Sequence, residues 1–204
     1  MGERLARVVS YILHPLLMPT YGLLLLFSLD SVISLLMPYK ARMAVVVVIF
    51  LNTALVPALF FIFLKSRRVI SSLKMQNRYE RNIPFIITAV FYFVTYIMLQ
   101  KYNLPQIIYF LIFGSSCLII LAMIINIWWK ISIHMIAEGG ITGAFACICL
   151  YLRINPIVLM IALIMASGLT GFARLKLEAH SPAQVYAGFI TGLVFMCGLF
   201  MFLR

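Results

Sequence analysis

Three short polar islands hold the residues of this sequence whose types and spacing could do chemistry. The richest runs from Ala173 to Gln184 and places Arg174, Lys176, Glu178 and His180 within seven residues. A second, Lys130 to Glu138, contains Ser132 and His134, and a third, Lys74 to Arg81, begins on a lysine and ends on an arginine with six residues between them. Guanidinium forks and an ammonium group, with the Ser132 hydroxyl, suit the oxygens of a phosphate ester. Two imidazoles suit a phosphoryl transfer in which one attacks phosphorus and the other protonates the leaving oxygen. The cations would neutralise the equatorial oxygens in the transition state, so neither a metal ion nor another cofactor is expected.

The elements that must position these residues are apolar helices. The chain has 204 residues, of which 65% are hydrophobic and only 10% charged, and its mean hydropathy is +1.12. Apolar runs near 20 residues, repeated along the chain, mark an integral membrane protein, and in lipid such runs must be helices. The expected architecture is an all-α bundle of six to seven transmembrane helices forming a single domain over residues 1–204. Spans are read at about 9–29, 43–64, 84–101, 106–129, 133–152, 157–173 and 184–203, each near the ~20 residues that cross a bilayer. The first contains His14-Pro15 and Pro19 and should be kinked or partly interfacial. The four cysteines all fall within apolar runs and read as small packed side chains. The net charge of +11 comes without any soluble basic domain, so interfacial cations facing anionic lipid are expected and nucleic acid is not. The bilayer is itself a partner, and no oligomeric state is read from the chain.

Helix parity places the islands together. From residues 65–83, two spans return the chain to the same side at Lys130, and two more return it at Arg174 and His180. All three islands therefore share one face. The turns on the other face carry little besides Lys40, Arg42, Lys101 and Arg153.

In order and spacing the islands resemble the tripartite signature of the type 2 phosphatidic acid phosphatase (PAP2) superfamily: Lys-x6-Arg-Pro, then Pro-Ser-Gly-His, then Ser-Arg-x5-His-x3-Asp. Here the first block runs Lys74 to Arg81 and continues with Asn82 in place of proline. The second is Ile131-Ser132-Ile133-His134, without the proline and glycine. The third is Ala173-Arg174, then His180, then Gln184, with alanine for serine and glutamine for aspartate. The resemblance covers about residues 74–192 and sets two N-terminal helices outside the core. It implies a PAP2-like helical bundle in which His180 is the nucleophile that becomes a phosphohistidine and His134 protonates the leaving group. Lys74, Arg81, Ser132 and Arg174 would hold the phosphoryl oxygens, and Gln184 would accept the His180 ring proton without supplying a negative charge. Glu138, one helical turn after His134, and Glu178, two residues before His180, are the supporting carboxylates. Pro182 fits the start of a helix whose N-terminus faces an anion.

The implied activity is metal-independent hydrolysis of a lipid phosphate or diphosphate, such as a polyprenyl diphosphate. A phosphotransferase, a catalytically weak protein that binds or moves a phosphorylated lipid, and a structural helical subunit are the competing readings. The positive-inside rule places the islands in the cytoplasm, whereas many members of the family face away from it. The expected location is a bacterial cytoplasmic membrane. His14 has no motif around it and reads as structural, and the three histidines match no recognised metal spacing. Arg67 and Arg68 read as lipid-facing anchors. Gly139, Gly140, Gly143, Gly188 and Gly192 read as points of close helix packing. Glu138, costly to bury in an apolar span, should orient His134 or pair with a cation.

Overall fold

The computed structural model describes residues 2–29, 37–70, 72 and 79–202. The described residues are mostly helical, without a strand, and seven helical stretches are long and apolar enough to cross a membrane. They form an all-α multi-pass bundle, with ends close to those expected from the apolar runs. The elements are α1 (Glu3–Ile12), α2 (Met18–Ser28), α3 (Tyr39–Phe50), α4 (Val56–Ser66), α5 (Asn82–Leu99), α6 (Gln106–Trp128), α7 (Ile133–Leu152), α8 (Ile157–Lys176) and α9 (Pro182–Phe200).

Two of the spans are interrupted, and proline explains both. Between α1 and α2 the helix stops at Leu13. A 3₁₀ turn over Pro15–Leu17 follows, with His14 as its cap. Between α3 and α4 the helix widens to a π turn over Leu51–Leu55, just ahead of Pro57. Proline removes one N–H and crowds the carbonyl four residues back, and a wider turn relieves that clash.

The helices fall into two compact units. One comprises Met1–Met18 and Trp129–Arg204, the other Pro19–Trp128. In the second, α5 packs along α6, and Tyr96 meets Phe113. The turn between them is tied by Tyr109, whose hydroxyl donates to the Tyr102 carbonyl and accepts from the Leu104 N–H.

In the first unit, α7 packs along α9 more extensively than any other pair, and α8 covers α7. Four glycines allow the close approach. A Cβ at Gly139 would lie 1.9 Å from the Phe189 carbonyl oxygen, and one at Gly192 would lie 2.0 Å from that of Ile136. Gly143 faces the Leu193 carbonyl and Gly188 that of Ser132 in the same way. These are four of the five glycines read from the sequence as packing points, Gly140 being the fifth. The N-terminal helix α1, set outside the core by sequence, lies against α8 in this same unit and buries Ala6 and Ser10.

Candidate functional site

Five of the seven residues proposed for catalysis or phosphate binding, His134, His180, Gln184, Ser132 and Arg174, lie in the first unit, where α7 and α9 begin and α8 ends. Arg81 belongs to the second unit, where it closes a 3₁₀ turn over Tyr79–Arg81 and is buried. Its neighbour Asn82, standing where the signature has proline, receives a hydrogen bond from Asn126 within that unit. Lys74 lies outside the described residues.

His180 is buried in the turn before α9. Its Nδ1 lies 3.0 Å from Gln184 Oε1. The identity of that glutamine atom is fixed independently, because the Ser181 main-chain N–H donates to it at 3.2 Å and an N–H can only donate. An oxygen facing Nδ1 requires the ring proton on Nδ1, which places the lone pair of the neutral ring on Nε2. Gln184 thus holds the His180 tautomer, the part the resemblance implied for it. It has a second task that the sequence reading missed. Ser181 Oγ accepts from the Gln184 N–H, so the two residues form a capping box at the start of α9, with Pro182 at the first helical position. The pattern Ser-x-x-Gln before an apolar run was the available signal. The box takes up the Gln184 N–H, one of the donors at the α9 N-terminus.

Ser132 caps α7 by position, yet its side chain makes no capping bond. Its N–H donates to the Gln184 carbonyl at 3.4 Å, while its Oγ is fully buried and has no hydrogen-bond partner among the described residues. Arg174, in the last turn of α8, has a buried Nε in the same condition. Buried donors without acceptors cost about 1–3 kcal/mol each, a cost that an ordered water or an anion relieves, and Thr20 and Arg42 carry atoms in the same condition in the other unit.

His134 opens α7, and its Nε2 lies 3.1 Å from the main-chain carbonyl of Ser10. Arg174 Nη1 reaches the Ser10 hydroxyl at 3.5 Å. The His14 ring stands edge-on to His134, with centroids 5.3 Å apart and planes at 80°. Arg174, His14 and His180 all lie within electrostatic range of the His134 ring.

The two supporting carboxylates do other work. Glu138 does not orient His134 or meet a cation. Buried between helices, it accepts hydrogen bonds from Thr170 at 2.9 Å and Ser167 at 3.5 Å on α8. Because α7 and α8 are antiparallel, this pairing sets their register. One turn away on each helix stand His134 and Arg174, the two side chains that converge on Ser10. Glu178 closes the end of α8 in the left-handed region, with φ 49°, where the Glu178 and Ala179 N–H groups bond the Leu175 and Arg174 carbonyls. Its place is explained by helix termination.

Fold and site together define the class: an all-α, multi-pass membrane protein with histidine and arginine gathered at one end of a helical unit. Comparison of the chain with protein-family models, curated proteins and solved structures gives no match.

Proposed function

We propose that this protein is a membrane phosphatase that hydrolyses a lipid phosphate or diphosphate through a phosphohistidine on His180. The observation that carries the reading is the His180–Gln184–Ser181 arrangement, which leaves the Nε2 lone pair as the ring's nucleophile in the same unit as two buried donors lacking an acceptor. Nε2 attacks phosphorus, the bond to the leaving oxygen breaks, and His134, carrying a proton on both ring nitrogens at this step, delivers the one that oxygen needs and is left neutral. Water then attacks the phosphohistidine, His134 takes a proton from it, and the P–N bond breaks to release phosphate. Arg174 and the Ser132 hydroxyl hold the phosphoryl oxygens through both steps. An amphiphile is the favoured substrate, because the donors lie at the ends of apolar helices, where a headgroup meets the bilayer surface.

The test is phosphate release by the purified protein in detergent, offered phosphatidic acid, phosphatidylglycerol phosphate and a polyprenyl diphosphate, with and without a chelator. Chelator-resistant release is the expected result. Release abolished by chelation would overturn the metal-free mechanism, and lipid retained without release would favour a binding protein. A lipid alcohol phosphorylated in place of water would make the protein a phosphotransferase.

Gln184 sharpens the prediction. Gln184→Glu keeps an oxygen for the His180 ring and for the Ser181 N–H, and glutamate serves equally well in a capping box. It adds the negative charge that stabilises a developing imidazolium. A charge-assisted hydrogen bond is about twice as strong as a neutral one, so turnover should rise roughly tenfold. Single-turnover kinetics would read this directly, and a rate unchanged or lowered in the folded variant would remove Gln184 from the mechanism.

A further inference from the structure

The contact between α1 and His134 has a chemical consequence. A main-chain carbonyl can only accept a hydrogen bond, so the His134 nitrogen facing Ser10 must carry a proton. In the neutral ring the other nitrogen, Nδ1, then holds the lone pair. Fixing one ring nitrogen by a hydrogen bond is the usual way in which a protein selects the working nitrogen of a histidine. The same short segment makes two further contacts. Ser10 Oγ accepts from Arg174, and His14 stands edge-on to the His134 ring. His14 is itself held, because its Nδ1 accepts the Leu16 N–H and caps the 3₁₀ turn that ends α1. Ser10 is buried and α1 lies along α8, so the carbonyl is presented from a packed helix.

We propose that α1 is a working part of the site: the Ser10 carbonyl anchors the Nε2 proton of His134, His14 braces the ring, and Nδ1 is the nitrogen through which His134 exchanges a proton with the substrate. Ser10 and His14 are positioning residues, since neither is required to touch the phosphoryl group. The two catalytic histidines are then mirror cases. His180 is tied at Nδ1 and works through Nε2, whereas His134 is tied at Nε2 and works through Nδ1. This inference rests on the reading of His134 as the proton donor, but the ring's tautomer can be measured apart from any activity.

The chain has only three histidines, so ¹⁵N-histidine NMR of the full-length protein in detergent micelles can assign each ring by substitution. The expected result is an Nε2–H tautomer for His134 in the wild type at a pH where the ring is neutral, the form left after it has given up its Nδ1 proton. His14→Asn separates the brace from the cap, because asparagine is a good N-cap but has no imidazole. That variant should melt as the wild type does, show His134 exchanging between tautomers, and lose about 10²-fold in kcat with little change in KM, the scale of a misplaced catalytic group. Ser10→Ala keeps the carbonyl and should leave the His134 tautomer unaltered. An Nδ1–H tautomer in the wild type would overturn the proposal, as would a His14→Asn variant with wild-type spectrum and turnover. An Nε2–H signal that loosens in His14→Asn, in a protein that turns over no phosphate ester, would uphold the α1 anchor while ending the phosphatase reading.

Discussion

His180→Ala should reduce turnover about 10⁶-fold, the loss expected when the nucleophile of a covalent mechanism is removed. The substitution is clean in structural terms. The capping box of α9 joins Ser181 to Gln184 and does not pass through the imidazole, so the helix start survives the change. An unaltered melting temperature in detergent would establish that the variant is folded. His134→Ala supplies the discriminating comparison. A proton donor matters in proportion to how poor the leaving group is, so an aryl phosphate, whose phenolate leaves unaided, should restore the first step to that variant. Phosphoenzyme would then accumulate, because the second step still needs a base. The aryl phosphate should not rescue His180→Ala, and no phosphoenzyme should form. A His180→Ala protein retaining more than about a hundredth of wild-type turnover would show that His180 is not the nucleophile.

The parts of this protein that follow from local pattern were legible in the sequence, and those that depend on which helix meets which were not. Apolar length gave the spans, because the need to cross a bilayer as a helix is a property of a single chain in lipid. His14-Pro15 marked the break after α1, since proline acts on its own helix. Gln184 was identified as the His180 partner through the resemblance, which sets the ring's partner four residues after the histidine, a contact local enough to survive in this fold. Glu138 shows the limit. Its spacing from His134 placed the two on one helix face, but a buried carboxylate takes whichever donors the neighbouring helix presents, and these are Thr170 and Ser167, about thirty residues away. Ser10 could not have been found from residue type at all. The group it offers His134 is a main-chain carbonyl, which every residue possesses, and only the packing of α1 on α8 brings it into place. His14 left a fainter signal, a histidine at the break after a short helix whose exposed charges, Glu3 and Arg7, form an i,i+4 pair.

Gly192→Ala should destabilise the protein by about 3 kcal/mol, the upper end of what overpacking costs, because the atoms in the way are backbone. The added Cβ would lie 2.0 Å from the Ile136 carbonyl oxygen and 2.7 Å from the Gly140 nitrogen. Neither can turn aside as a side-chain tip would, so α9 must move away from α7 as a whole. Nothing compensates in lipid, where small residues let helices approach and the gain comes from packing and not from expelling water. Gly168→Ala is the control. A Cβ there meets nothing within 4 Å, and alanine in a helix interior is favoured over glycine by about 0.5–1 kcal/mol, so this variant should melt at or above the wild-type temperature. Equal melting of the two variants would mean that the α7–α9 contact does not hold the unit together. The site should feel the same displacement. Ser132 faces Gly188 one turn earlier along that contact, and its N–H bonds the Gln184 carbonyl, so moving α9 shifts the residue that holds the His180 tautomer relative to the buried Ser132 hydroxyl. Turnover per folded molecule should therefore fall in Gly192→Ala and hold in Gly168→Ala.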